Sequence, residues 1–276
     1  MRRFALYGLI GATAMVILTL GVWYGLQYLG WVGVSSAETG NQATTRNDVS
    51  NDFVALALER ARGGDAEGAL QALDVAIAAD PEGAAEAYYY RGLIRAEQGD
   101  PREGIEDLTT ALEINPHMAQ VYAARGSLYL LTSRPAKAVD DLTKAIELDP
   151  QHAPNYVNRG QAYMDLGILD LALEDFNKAI ELDPTSVAAY FNRGVLYMQQ
   201  KEVDKAIADF TTCIELDPNA PAPYFNRAVA YIEKDEREKA ATDLATYLKI
   251  AQDEMGRHQA EALLENLGQP SPEQTN

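Results

Sequence analysis

From about residue 50 onward, aromatic, small and aliphatic residues return at helical spacing, in blocks separated by short polar breaks. In residues 153–186, Tyr156, Tyr163 and Leu166 flank Gly160 in the first half. Ala172, Phe176, Ala179 and Ile180 form a stripe at i, i+3, i+4 spacing in the second half; this is the periodicity of a helix with one apolar face. Gly167 separates the halves as a helix stop, and Asp183-Pro184 closes the second, because a residue before proline is pushed out of the α region. The block predicts two helices joined by a tight turn.

The block recurs. Arg91-Gly92, Arg125-Gly126, Arg159-Gly160, Arg193-Gly194 and Arg227-Ala228 follow one another in steps of 34 residues. Pro81, Pro116, Pro150, Pro184 and Pro218 keep nearly the same beat, with one extra residue early in the series. A fixed period of this length is the mark of stacked supersecondary units, none of which can bury both of its faces alone. Gly160, Ala172 and Ala179 lack bulk where helices approach, while Tyr156, Tyr163 and Phe176 fill the gaps beside them.

These residues resemble the tetratricopeptide repeat, which places an aromatic, Gly or Ala, aromatic, Gly, Ala, aromatic, Ala and Pro at fixed offsets. The fourth block supplies Tyr156, Gly160, Tyr163, Gly167, Ala172, Phe176, Ala179 and Pro184. The fifth supplies Tyr190, Gly194, Tyr197, Ala206, Phe210 and Pro218 and departs at Lys201 and Cys213; the second departs at Arg95 and Gly104. The first block is threaded through Phe53, Ala57, Gly64, Ala69, Leu73, Ala76 and Pro81, and the sixth lacks the closing proline. The resemblance implies an all-α, right-handed superhelical solenoid of about six helix–turn–helix repeats. They lie near residues 50–84, 85–118, 119–152, 153–186, 187–220 and 221–252. An amphipathic segment at 259–267 is expected to cap the last exposed face.

Ahead of the array, no charge appears between Arg3 and Glu38. As a helix, the uncharged stretch 4–34 is roughly 46 Å long, against a hydrocarbon core of ~30 Å. Residues 6–28 are thus expected to span a membrane, with Trp23, Tyr24, Tyr28 and Trp31 at one interface. Arg2 and Arg3 favour the cytoplasmic side, which puts the repeats outside the cytoplasm. A signal peptide cleaved near Ser35-Ser36-Ala37 is the competing reading, and it places the repeats on the same side. Gly21 and Gly25 form a GxxxG pattern suited to close helix pairing. Residues 35–50 read as a flexible linker and 269–276 as a disordered tail.

Charge narrows the partners. With 23 basic and 41 acidic residues the formal net charge is −18, which disfavours phosphate backbones and argues against nucleic acid. The single Cys213 stands where neighbouring blocks have alanine and reads as a small core residue. Three scattered histidines and the absence of any nucleophile, phosphate-loop or metal motif give no enzyme, no metal and no cofactor.

The family resemblance implies that the first helix of each pair lines a groove for peptides or protein segments. Carried onto this chain, that face comprises Tyr89, Tyr90 and Leu93, then Ala123, Ser127 and Leu130. It continues through Val157, Asn158, Gln161 and Met164, through Phe191, Asn192, Val195 and Met198, and through Phe225, Asn226, Val229 and Glu233. Asn158, Asn192 and Asn226 recur at one register, either as a ladder for an extended ligand backbone or as bonds within the scaffold. Phe191 and Phe225 would offer apolar pockets beside them. The face carries no lysine or free arginine, so a neutral or apolar ligand is expected and an acidic C-terminal tail is not. Each of Arg91, Arg125, Arg159, Arg193 and Arg227 precedes an aspartate by sixteen residues (Asp107, Asp141, Asp175, Asp209, Asp243), which predicts a guanidinium–carboxylate pair between helices. The chain reads as a membrane-tethered adaptor or assembly factor. A self-associating scaffold, hence a homo-oligomer, and a regulatory subunit of an enzyme are the alternatives.

Overall fold

The structure is a computed structural model and describes residues 46–268. The apolar stretch 4–34, most of the linker and the tail 269–276 lie outside the described residues. The described chain is helical and divides into two compact units, residues 46–166 and 167–268.

The first unit holds α1 (Arg46–Arg62), α2 (Ala66–Ala79), α3 (Ala85–Glu97), α4 (Pro101–Ile114), α5 (Ala119–Leu131), α6 (Pro135–Leu148) and α7 (Ala153–Asp165). The second holds α8 (Leu169–Leu182), α9 (Val187–Gln199), α10 (Val203–Leu216), α11 (Pro221–Glu233), α12 (Arg237–Ile250) and α13 (Glu254–Gly268). Helix α1 begins inside the expected linker, and the capping helix starts five residues earlier than 259–267 suggested.

Local chemistry sets the boundaries. Pro101, Pro135 and Pro221 each sit in the first turn of a helix, where the missing N–H costs nothing. Asn115, Asp149, Asp183 and Asp217, each ahead of a proline, leave the helical region with φ between −134° and −138° and end α4, α6, α8 and α10. Within each pair, the turn passes through one residue of positive φ: Gly64, Gly99, Ser133, Gly167, Lys201 or Asp235. That explains the departure at Lys201. The repeat demands a left-handed backbone there, and three of the six turns adopt it without glycine.

The core repeats with the sequence. Leu73, Leu108, Leu142, Phe176, Phe210 and Leu244 hold one register of the second helices, and all are fully buried. Opposite them the first helices carry small residues. An added Cβ on Gly126 would come within 2.8 Å of Leu142, and one on Gly194 within 2.7 Å of Phe210. In the second pair the approach is backbone to backbone: a Cβ on Gly92 would meet the Gly104 carbonyl at 2.9 Å, and one on Gly104 the Gly92 carbonyl at 2.7 Å. Glycine replaces the family's alanine at 104 because α3 and α4 touch at that point.

Cys213 is fully buried. Its thiol points at the Val187 carbonyl, 3.4 Å away, and burial pushes its pKa up, so it behaves as core and not as a nucleophile. The corresponding position in the last pair is Tyr247, whose ring packs 5.2 Å from that of Phe225. Helix α13 closes this end with buried Ala260 and Leu263. Arg237 donates to the Asn266 and Leu267 carbonyls, and Arg257 to those of Leu248 and Ala251.

Candidate protein-binding face

Within each unit the first helices of successive pairs touch one another: α1 with α3, α3 with α5, α5 with α7, and α9 with α11. Second helices instead reach the next pair through its first helix, as α4 does with α5 and α10 with α11. A stack whose first helices crowd while its second helices spread bends toward the first helices, which therefore line its inner face.

In the first unit that face brings together the residues expected from sequence on α3, α5 and α7. The Tyr89 and Tyr90 rings lie 4.9 Å apart, tilted by 52°. Tyr89 and Leu93 pack toward the cluster that holds Val121 and Leu128 of α5, while Tyr90 packs toward Val54 and Leu58 of α1. Burial, and then the neighbouring Tyr90, push the Tyr89 phenol up to about 12. Asn158 Nδ2 donates to Ser127 Oγ at 3.1 Å, and that hydroxyl donates to the Ala123 carbonyl at 2.9 Å. Gln161 Nε2 donates to Asp165 Oδ1 at 2.9 Å. Val157, Gln161 and Met164 are buried, and Tyr89, Tyr90, Leu93, Ser127 and Asn158 half-buried.

The second unit treats the same register differently. Phe191 is only 3 % exposed, with its ring 5.8 Å from Phe210, and Phe225 packs on Tyr247. Both rings, expected as open pockets, fill the space between the helices of their own pair. Asn226 Nδ2 donates to the Ala222 carbonyl at 2.9 Å, one turn back in α11. Asn192, Val195 and Val229 are buried and Met198 is half-buried. The amides at 158 and 226 are thus engaged by the scaffold, because an amide held between packed helices needs a partner close by.

The arginine series is structural and reaches further than the sixteen-residue spacing suggested. Arg125 Nε and Nη2 donate to the two oxygens of Asp141 at 2.7 and 2.9 Å. Arg91–Asp107, Arg193–Asp209 and Arg227–Asp243 repeat this two-pronged contact at 2.7–3.0 Å. For Arg125, Arg193 and Arg227, the hydrogen bond to the paired carboxylate outweighs burial and raises the guanidinium pKa. Arg159 and Asp175, the fifth couple in register, belong to different units.

The third nitrogen turns backward along the stack. Nη1 of Arg91, Arg125, Arg159, Arg193 and Arg227 donates to Asp74, Thr109, Thr143, Asn177 and Thr211 of the preceding second helix. Tyrosines three residues before and four after bracket the group: Tyr190 and Tyr197 lie 5.5 and 5.8 Å from the Arg193 carbon. In the second pair, Arg95 stands in the later tyrosine's place and donates to Asp107 at 2.8 Å. Sequence reasoning missed the backward acceptors, although a polar side chain sixteen residues before four of the arginines was there to be read.

Among the described residues, no group of three or more His, Cys, Asp or Glu is placed to hold a metal ion, and no helix is long and apolar enough to cross a membrane.

Family models described as tetratricopeptide repeat match residues 54–101, 85–118, 119–152 and 187–220, and one described as TPR repeat matches 160–201. No curated protein sequence matches the chain. Among solved structures, that of pilF from Pseudomonas aeruginosa is similar in fold, at a TM-score of 0.69 and 17 % identity, covering 80 % of this chain and 99 % of that one. The crystal structure of MamA is 27 % identical at a TM-score of 0.55, covering 59 % of this chain and 95 % of that one. YrrB, whose structure is described as a TPR protein with an unusual peptide-binding site, is 24 % identical at a TM-score of 0.54, covering 70 % of this chain and 99 % of that one. By the register of its repeats, the helices they build and the family models they match, the chain belongs to the tetratricopeptide repeat family.

Proposed function

We propose that this chain is a non-catalytic interaction module that binds a peptide or protein segment on the first helices of its repeats, as an adaptor or assembly factor. One observation carries the reading. Helices α3, α5, α7, α9 and α11 contain no lysine, and their arginines are tied to aspartates, threonines, asparagine and tyrosine rings. Apart from Glu86 and the carboxylates Glu97, Asp165 and Glu233 at their C-terminal ends, their remaining surface is aromatic, aliphatic and amide. A largely apolar face without mobile positive charge, on an otherwise highly charged protein, is suited to covering by another chain. The stretch 4–34 would hold the module at a membrane, with the repeats on the extracytoplasmic side.

The test is crosslinking of the full-length protein in its native membrane, followed by mass spectrometry of the captured partners. A Leu93→Glu variant, its helicity confirmed by circular dichroism, is the comparison. Partners captured by the parent and missing from the variant support recognition on the first helices. Identical partners in both, or recovery of the protein only with itself, would move the function to the outer helices or to self-assembly. Extraction of the protein by alkaline carbonate would overturn the anchor.

A further inference from the structure

The inner face of the first unit ends in an unusual way for so apolar a surface. Helices α3, α5 and α7 run in parallel in successive repeats, so their C-terminal ends, each carrying partial negative charge, share one edge. The last residues of these helices are Glu97, Leu131 and Asp165, all of one register. An acid at the C-terminus of a helix opposes the dipole, and here two helices of three carry one. Neither has a cationic partner among the described residues. Glu97 makes no hydrogen bond or ion pair there, and Asp165 receives only the neutral amide of Gln161. Partial desolvation raises the pKa of both carboxyls, and at Asp165 the Gln161 amide offsets it only in part. The arginines on these three helices, Arg91, Arg95, Arg125 and Arg159, are engaged elsewhere, by Asp107, Asp141 and Thr143. Leu131, 38 % exposed, continues the apolar surface out to this edge.

We propose that the inner face of the first unit recognises an apolar segment flanked by a basic residue, with the apolar part against Tyr89, Tyr90 and Leu93 and the cation at the Glu97–Asp165 edge. This rests on the reading of the first helices as the binding face and adds the charge and polarity of what binds. A cation along that edge meets the carboxylate at one end or the other, Glu97 or Asp165, beside helix ends of matching sign, while a basic outer flank keeps such a segment soluble before it docks. An acidic flank meets the same groups with repulsion.

Three fluorescent fourteen-residue peptides with one apolar core, ending in Lys-Lys, Ser-Ser or Glu-Glu, distinguish the possibilities. They are titrated by anisotropy against the full-length protein in nanodiscs, with empty nanodiscs subtracted. The Lys-Lys peptide is expected to bind at least tenfold more tightly than the Glu-Glu peptide in 50 mM salt, with Ser-Ser between them. The gap should narrow in 300 mM salt. Combining Glu97→Gln with Asp165→Asn should bring the Lys-Lys peptide to the Ser-Ser level and leave Ser-Ser binding unchanged. Equal binding of all three, or a double variant without effect, overturns the basic flank while leaving the binding face intact. Binding by none of the three overturns both.

Discussion

Each repeat's arginine forms hydrogen bonds in two directions, and that makes single carboxylates at its side costly to lose. Asp209 is 5 % exposed and accepts both Nε and Nη2 of Arg193. Asp209→Ala leaves a half-buried guanidinium facing a void, and a loss of about 3 kcal/mol is expected from breaking one side of such a pair. Urea unfolding of the two proteins measures it; a change within error would mean that Asn177 and water suffice. Tyr89 offers a pH test. Its phenol stays protonated in the fold up to about 12, whereas in the unfolded chain it ionises near 10. The stability this contributes is therefore complete below pH ~10 and disappears as pH rises through about 12. Tyr89→Phe should flatten that part of the alkaline stability curve, measured by urea midpoints at pH 9 and 11. A sequence shows the Arg–Asp spacing because sixteen residues is a fixed offset between paired helices. It does not show which amide is taken up within the scaffold, since Asn158 and Asn226 occupy one register and bind a serine hydroxyl and a backbone carbonyl respectively.

Helices and turns obey the repeat pattern closely enough that departures can be read as local geometry. Gly104 occupies a site where the family has alanine, and helix propensity alone says that restoring alanine should gain about 1 kcal/mol. The Gly92 carbonyl 2.7 Å from the added Cβ says otherwise, because backbone cannot rotate away. Gly104→Ala is expected to destabilise the protein, by a net ~1 kcal/mol after an overpacking cost of 1–3 kcal/mol, read as a lower thermal midpoint; a higher midpoint would show that α3 and α4 can separate freely. Lys201 points the other way. It holds φ +61° in a turn where Gly99 and Gly167 hold the same region, and Lys201→Gly should stabilise by about 1 kcal/mol in the same assay. Element types and turns were legible in advance because proline, glycine and apolar spacing act locally. The first helix start at Arg46 and the longer α13 were less so, since helix ends without proline or glycine are set by packing.

At the scale of the whole molecule, the net charge of −18 is unevenly placed. Second helices carry exposed pairs such as Lys144–Glu147 and Lys178–Glu181, while the first helices present almost none. Composition announced the charge; only the stacking within each unit sorts it between first and second helices. The same stacking limits how such a chain can change its length. An arginine finds one acceptor sixteen residues ahead in its own repeat and another sixteen residues behind in the previous one. Removing residues 187–220, one whole period, would set Arg227 where Arg193 stood, with Asn177 behind it and Asp243 still ahead. That shortened protein is expected to melt cooperatively with its helical signal per residue unchanged, by circular dichroism. Removing half as many residues would leave every contact at the junction facing the wrong helix, and no comparable transition is expected. If both deletions melt alike, the arginines do not set the spacing. The chain can thus be lengthened or shortened like a row of tiles cut to interlock, by whole pieces, and insertions of any other size are confined to its loops and ends.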